Sequence, residues 1–218
     1  YRSGAFYCAR AQQVEGHDAV RDVLSGMLAL ASEPISGGRH KVFGHHALAV
    51  IPQTSTIASH LPRALGVAFA IGRARRLGVP THWPRAALAV CTFGDASANH
   101  STAQGAINAA CYTAYSGLPV PLLLVCEDNG WGISVPTPSG WIEATFANRP
   151  ALRYAQVDGT DPLAVHATTA ELADLNSPLN RNGGNNTTRY NWQLNADNRG
   201  NDWYYQSIPE SSATSGER

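Results

Sequence analysis

Two short apolar segments with a helix-like segment between them restrict the fold of this chain more than any other feature. The segments are AALAVCTF at 86–93 and PVPLLLVCED at 119–128, and each is almost continuously apolar before it reaches a polar turn. Continuous rather than alternating apolar residues are typical of parallel strands that helices cover on both faces. Parallel strands need a crossover connection, and SANHSTAQGAINAACYTAYS at 97–116 predicts a crossover helix.

The rest of the first 174 residues continues this pattern of helices and buried strands. Residue spacing and cap residues predict an amphipathic helix at 18–30, a long loop at 33–56, a helix at 58–78 with a buried first half, a strand and turn at 152–161, and a helix at 161–174 that Asp161 caps. This order of elements predicts a doubly wound α/β domain with a parallel sheet. Ligands in such sheets bind outside the carboxyl ends of the strands.

Size and charge argue against two classes of function. The 218 residues include 16 basic and 16 acidic residues, so the composition does not favour nucleic-acid binding. No apolar run reaches the roughly 20 residues that a membrane-spanning helix needs, and no signal segment opens the sequence. We therefore expect a cytoplasmic protein that binds neither nucleic acid nor membrane. The chain begins at Tyr1 rather than at a methionine, which indicates a fragment.

Asparagine content divides the chain near residue 175. Four asparagines precede that point, at 99, 108, 129 and 148, and nine follow it, at 176, 180, 182, 185, 186, 191, 195, 198 and 201. The change predicts an α/β domain at 1–174, incomplete in itself, and an unrelated, irregular and poorly ordered segment at 175–218.

Polar residues follow both apolar segments at the point where each predicted strand ends. Asp95 ends the first, and Asn129 follows the second within CEDNGWGIS. If the strands are neighbours, both ends open on one crevice, where a carboxylate and an amide oxygen could hold Mg²⁺. Gly94 and the small residues at 96–98 would let backbone N–H groups approach a diphosphate. The alternative is an aspartate that caps its own helix and a simple Asn-Gly turn.

The combination of motifs resembles a known family. GDAS and CEDNGWGIS, with IPQTSTIASHLPRALG upstream and VDGTDPLAVHATT downstream, are similar in content and order to the thiamine-diphosphate-binding α subunit of the decarboxylating component of 2-oxo acid dehydrogenase complexes. The resemblance covers residues 1–174 and implies a parallel sheet of the thiamine-diphosphate-binding type. It implies thiamine diphosphate and Mg²⁺ as cofactors.

The resemblance also implies roles for individual residues. The expected metal ligands are Asp95, Asn129 and the backbone carbonyl of Trp131. The expected cofactor contacts are Ser55, Ile57, Gly94, Ala96, Ser97, Gly132 and Ile133. His60 borders the expected substrate channel and is the catalytic candidate, with a solvated or capping histidine as the alternative. Ala96 replaces a glycine of the motif, which requires a negative φ at this position.

The implied reaction is the oxidative decarboxylation of a 2-oxo acid, with transfer of the acyl group to a lipoyl-bearing acyltransferase. The acid that protonates the cofactor's N1′ belongs in this family to a β-type subunit or a fused β-like region, and nothing in this chain matches it. We therefore expect the isolated chain to be inactive. Asp128 replaces an asparagine of the motif, as in transketolases, so a transketolase-like transferase is the alternative.

The last part of the chain resembles a different family. SPLNRNGGNNTTRYNWQLNADNRGNDWYYQS at 177–207 is similar to the amino-terminal part of glycoside hydrolases of family 44. The catalytic carboxylates of that family lie beyond such a segment and are not in this chain. The two resemblances together predict a chimera of two fragments, with a carbohydrate-active or inactive protein as a further alternative.

Overall fold

The computed structural model describes Tyr7 and residues 9–33, 35–39, 42–84, 86–175 and 190–195. Its helices include α1 (Ala19–Met27), α2 (His60–Leu77), α3 (Asp95–Ala98), α4 (Ser101–Tyr115), α5 (Trp141–Phe146) and α6 (Pro162–Leu175). Its strands are β1 (Phe43–His45), β2 (Val50–Gln53), β3 (Ala89–Gly94), β4 (Leu122–Glu127), β5 (Trp131–Gly132), β6 (Val135–Pro136), β7 (Arg153–Asp158) and β8 (Tyr190–Asn195). Among the helices of these ranges, none has the length and apolar character needed to cross a membrane.

Four parallel strands form the main sheet in the order β3–β4–β8–β7. Neighbouring residues of β4 point to opposite faces and pack against different helices. Leu124 belongs to the cluster that includes Ile107 of α4, whereas Leu123 packs with Leu172 of α6. Helices therefore cover both faces, and the predicted α/β fold with adjacent parallel strands is confirmed.

Helix α2 buries one face against this sheet. Its buried residues recur at helical spacing and are Leu61, Ala64, Ala68, Ile71 and Gly72. A Cβ added to Gly72 would lie 2.4 Å from the carbonyl oxygen of Pro119, so only glycine allows the helix to approach the chain before β4 this closely. The expectation that the whole first half is buried was wrong, because Pro62, Gly66 and Phe69 lie on the outward face.

Helix α1 forms where a helix was predicted, but most of its apolar side chains are not buried. The Asp18 side chain accepts a hydrogen bond from the Arg21 N–H at 3.0 Å, which caps the first turn. Most of the apolar side chains that gave the helical pattern are exposed, namely Val20, Leu24, Met27 and Leu28. The pattern marked the helix correctly but not its packing, which depends on what lies beside it.

The segment predicted as a long loop contains an antiparallel hairpin of β1 and β2. Gly44 makes the hairpin possible, because a Cβ at this position would lie 2.6 Å from the Pro52 Cα. Strands of three and four residues are too short to show a sequence period, which is why the prediction missed them.

The predicted crossover helix is two helices, α3 and α4. His100 interrupts them with an extended backbone (φ −65°, ψ 137°), and its Nδ1 accepts a hydrogen bond from the Thr102 N–H at 3.2 Å. A single helix was therefore wrong, because the side chain of His100 starts a second one. The predicted unit of β7 and α6 is confirmed, and Asp161 caps α6 by accepting from the Leu163 and Ala164 N–H groups.

Strand β8 comes from the segment that was predicted to be irregular. Its backbone pairs in parallel with β4 from Leu123 opposite Tyr190, and with β7 from Arg153 opposite Tyr190. The expectation of an irregular segment was wrong for residues 190–195, because main-chain hydrogen bonds to β4 and β7 hold them in a strand. Residues 176–189 and 196–218 lie outside the described residues, so a separate, poorly ordered segment at 175–218 stays a prediction.

Candidate functional site

Asp95 lies at the carboxyl end of β3, where it begins α3. Its side chain is buried, with 2% of its surface exposed. Oδ2 accepts a hydrogen bond from the Thr137 hydroxyl, and Oδ1 is buried with no hydrogen-bond partner among the described residues. Gly94, not Asp95, is the N-cap of α3, so the carboxylate does not cap its own helix. A buried carboxylate oxygen without a donor is costly, and a bound cation would offset that cost.

The second predicted segment lies beside the first because of the strand register. Gly94 of β3 pairs with Glu127 of β4, and paired strands are about 5 Å apart. Asp95 comes directly after Gly94, and Asn129 comes two residues after Glu127, so the two segments lie side by side. Oδ1 of Asn129 accepts a hydrogen bond from the Trp131 N–H at 3.0 Å. This is the turn that the alternative interpretation predicted. An amide oxygen has two lone pairs, so the turn leaves Asn129 able to bind a cation as well.

The hairpin of β5 and β6 folds over α3. A Cβ at Gly132 would lie 2.8 Å from the Ala96 Cβ, so the glycine allows the two backbones to approach. The Thr137 N–H donates to the Gly130 carbonyl at 2.9 Å, which closes the hairpin and places the Thr137 side chain against Asp95. Ile133, at the tip of the hairpin, has a φ of 63° and is exposed. Nothing in the sequence around Thr137 indicated its role.

Ala96 and Ser97 are both in α3 and have only partly exposed surfaces. An alanine in place of the motif's glycine requires a negative φ at position 96. Ala96 is not among the described residues with a positive φ, so its backbone meets this requirement. The N–H groups at the start of a helix have no acceptor within the helix. This segment is therefore able to present N–H groups to an anion.

The loop between β2 and α2 carries Ser55 and Ile57, both exposed. It lies near the end of β3 because Nε2 of His60, the first residue of α2, is 2.8 Å from the carbonyl oxygen of Thr92. A carbonyl only accepts, so Nε2 carries the proton in this contact. This geometry ties His60 to the main chain of β3, and its catalytic role stays a prediction.

Cys91 lies on β3 beneath this region. Burial disfavours the thiolate and raises the pKa of Cys91 to about 12, although the nearby Arg63 guanidinium acts in the opposite direction. Cys91 therefore remains a neutral thiol near pH 7. It packs as a small apolar residue, and so do the buried Cys111 and Cys126.

A family model described as "Dehydrogenase E1 component" matches residues 2–177. The chain belongs to the dehydrogenase E1 component family. Among curated relatives of this E1 chain, the 2-oxoisovalerate dehydrogenase subunit alpha of Bacillus subtilis is 29% identical over 160 residues, which are 71% of this chain and 44% of the relative. The mitochondrial 2-oxoisovalerate dehydrogenase subunit alpha of Caenorhabditis elegans is 31% identical over 143 residues, 63% of this chain and 30% of the relative.

The E1 chain thus spans less than half the length of these relatives. Among solved structures, the transketolase from Leishmania mexicana superposes with a TM-score of 0.57 and 13% identity, covering 80% of this chain and 24% of the transketolase. At that identity the likeness shows a shared fold alone. The main sheet and its crossover therefore share the fold of this transketolase.

Proposed function

We propose that this chain is the cofactor-binding, α-type part of a 2-oxo acid dehydrogenase E1 component and binds thiamine diphosphate with Mg²⁺. The observation that carries the proposal is the buried carboxylate of Asp95, whose Oδ1 has no donor among the described residues. Family membership supports the same conclusion. Mg²⁺ prefers hard oxygen ligands, and Asp95, Asn129 and the Trp131 carbonyl are groups of this kind.

The residues of the site fit this cofactor. Asp95 and Asn129 would hold the metal, and the backbone at Gly94, Ala96 and Ser97 would hold the diphosphate. The contact of Gly132 with Ala96 places the β5–β6 hairpin over this segment, where Gly132 and Ile133 would line the site. Ser55 and Ile57 would contact the aminopyrimidine. The bound cofactor would supply an electron sink for the loss of carbon dioxide from a 2-oxo acid.

For the substrate we propose a branched 2-oxo acid, because the relatives named above are 2-oxoisovalerate dehydrogenase subunits. The chain's role would be to bind and orient the cofactor. A β-type subunit or region would complete the site and supply the missing acid, and a lipoyl-bearing acyltransferase would accept the acyl group. We therefore expect the chain by itself to bind cofactor without turning over a 2-oxo acid.

A transketolase-like transferase is the second candidate, and the observation that favours it is the pair Asp128–Asn129. The family match supports the dehydrogenase instead. With the β-type subunit present, 2-oxoisovalerate-dependent reduction of an artificial electron acceptor would support the dehydrogenase. Transfer of a two-carbon ketol unit between sugar phosphates, without that reduction, would support the transketolase-like reaction.

Calorimetric titration of the chain with thiamine diphosphate and Mg²⁺ tests the metal assignment. Asp95→Ala should weaken binding about 100-fold or more, which is about 2.7 kcal/mol, because the charged metal ligand is lost. Asp158→Ala is the matched control, since Asp158 is an exposed carboxylate at the end of β7 and should leave the affinity unchanged. Unchanged binding by Asp95→Ala would show that Asp95 holds no metal.

The stability of the same variant separates a functional carboxylate from a structural one. A buried carboxylate with an unpaired oxygen lowers the stability of the cofactor-free chain. Urea unfolding without cofactor should therefore place the midpoint of Asp95→Ala at or above that of the unmodified chain. A large loss of stability would show that Asp95 is retained for the fold.

A further inference from the structure

Arg63 holds both ends of the loop that carries Ser55 and Ile57. Its side chain extends from the first turn of α2 and donates three hydrogen bonds to described residues. Nη1 donates to the Pro52 carbonyl at 2.6 Å, Nε donates to the Ser59 carbonyl at 3.3 Å, and Nη2 donates to the Ser59 hydroxyl at 3.3 Å. Pro52 precedes the loop and Ser59 ends it, so one guanidinium closes the segment between them.

Each anchor of this contact makes a further contact of its own. Pro52 is in β2, where it packs against Gly44 of β1. Ser59 precedes α2, and its hydroxyl donates to the Thr56 carbonyl at 2.9 Å. Arg63 thus joins the hairpin to the helix, and the intervening loop has little freedom to change its span.

The loop contains a strained residue between Ile57 and Ser59. Ala58 has a φ of 61°, a left-handed conformation that residues with a Cβ seldom adopt, and its side chain is completely buried. Such a conformation persists only where the surroundings hold it. The Ala58 methyl group in the core and the Arg63 contacts on the two sides of the loop provide that constraint.

The loop is also attached to the end of β3. Ala58 belongs to the same buried cluster as Phe93 and Ala98, which flank Asp95. The contact between His60 and the Thr92 carbonyl joins the beginning of α2 to the same strand. A change in the shape of the loop therefore moves Ser55 and Ile57 relative to Asp95.

We infer that Arg63 is a positioning residue that holds the 53–58 loop in the shape in which Ser55 and Ile57 line the cofactor site. The inference rests on the proposed function, because it gives these two side chains their place beside the aminopyrimidine. The hydrogen bonds of Arg63 go to Pro52 and Ser59 at the two ends of the loop, so it acts through the loop. Lysine cannot replace it, because one compact ammonium group cannot reproduce the fork of N–H donors that contacts Pro52 and Ser59 together.

Hydrogen exchange in the cofactor-free, full-length chain tests the inference without any ligand. Arg63→Lys should speed the exchange of the loop amides at 54–59 about tenfold, because the local opening of the loop becomes easier. Arg76→Lys is the matched control, since Arg76 is an exposed arginine in the last turn of the same helix, and it should leave the loop unchanged. Equal exchange in the loop of Arg63→Lys and the unmodified chain would overturn the inference.

Binding of two probes then separates positioning from general damage. Inorganic pyrophosphate with Mg²⁺ depends on the Asp95 side of the site alone, whereas thiamine diphosphate also needs the loop. Arg63→Lys should raise the dissociation constant of thiamine diphosphate about tenfold and that of pyrophosphate less than about twofold. Equal weakening of both would overturn the inference in favour of a purely structural role. Failure of the unmodified chain to bind thiamine diphosphate would count against the proposed function, while the exchange result still decides the role of Arg63.

Discussion

The ends of β3 and β4 have similar sequences and different environments. Both strands are apolar runs that reach an acidic residue, and they are paired along their full length. At the end of β3, Asp95 is buried beneath the β5–β6 hairpin and accepts a hydrogen bond from the Thr137 hydroxyl. At the end of β4, Asn129 is only half-buried and bonds to the backbone of its own turn.

The difference shows that burial rather than residue type decides which strand end needs hydrogen-bond partners from the protein or a ligand. The hairpin starts from the end of β4 and folds back over the end of β3, so it covers its neighbour and leaves its own start open. A polar group that is enclosed must find partners, whereas one that is open can use water. One carboxylate oxygen of Asp95 accepts a hydrogen bond and the other has no partner among the described residues, and this imbalance makes Asp95 the centre of the candidate site.

Removing the donor at the enclosed end should have the largest effect on stability. Thr137→Val keeps the shape of the side chain and removes the hydroxyl, which leaves a buried carboxylate without its hydrogen bond. We expect a loss of about 3 kcal/mol in the free energy of unfolding, measured by urea denaturation.

Thr137→Ser keeps a hydroxyl and should therefore retain most of the stability that Thr137→Val loses. Asn129→Ala, at the open strand end, should lower the free energy of unfolding by about 1 kcal/mol or less. Equal losses for Thr137→Val and Asn129→Ala would break the distinction between an enclosed and an open strand end.

Closing the approach between hairpin and helix should have an intermediate effect. Gly132→Ala places a methyl group 2.8 Å from the Ala96 Cβ, and the overlap should cost about 2 kcal/mol of stability. The double variant Gly132→Ala with Ala96→Gly removes the overlap.

The free energy of unfolding of the double variant should therefore be higher than the sum of the two single changes predicts. A double-mutant cycle of the four proteins measures this difference. Strict additivity would show that the hairpin does not press on α3 and that the enclosure of Asp95 has another cause.

The smallest effect is expected at a third strand end, that of β7. The backbone N–H and the hydroxyl of Thr160 both donate to Asp158 and lower the pKa of its carboxyl below the ordinary value of 3.8. A depressed pKa contributes stability that is present above that value and is lost as the pH falls through the folded-state pKa.

Thermal unfolding between pH 5 and pH 3 measures this contribution. Asp158→Asn keeps an acceptor oxygen but cannot titrate, so its melting temperature should fall slightly less over this range than that of the unmodified chain. Identical pH slopes would show that the exposed carboxylate contributes nothing.

The elements that could be predicted are those with a local signal. The two apolar runs predicted β3 and β4, and Asp18 and Asp161 predicted the starts of α1 and α6, because caps and continuous apolar runs act within a few residues. The break at His100 was missed, since the side chain of this residue competes with a helical pattern that otherwise continues through it. The β1–β2 hairpin and β8 were missed because they depend on pairing between distant parts of the backbone.

The same division applies to the candidate site. Asp95 and Asn129 were predicted because an acid or amide directly after a buried strand is visible in the sequence. Thr137 and Arg63 were not, because each acts on a residue that becomes its neighbour only in the fold. Thr137 is 42 positions from Asp95, and Arg63 is 11 positions from Pro52.

The sequence by itself determined the parallel strands, the residues at their ends and the family to which the motifs belong, because each of these depends on residue type over short distances. Only the tertiary structure decided which strand end is enclosed, which carboxylate oxygen has no partner among the described residues and which arginine closes the 53–58 loop. These features arise where the hairpin meets α3 and where α2 meets β2. Burial and hydrogen bonding there depend on how separate segments pack, and no local pattern encodes that packing.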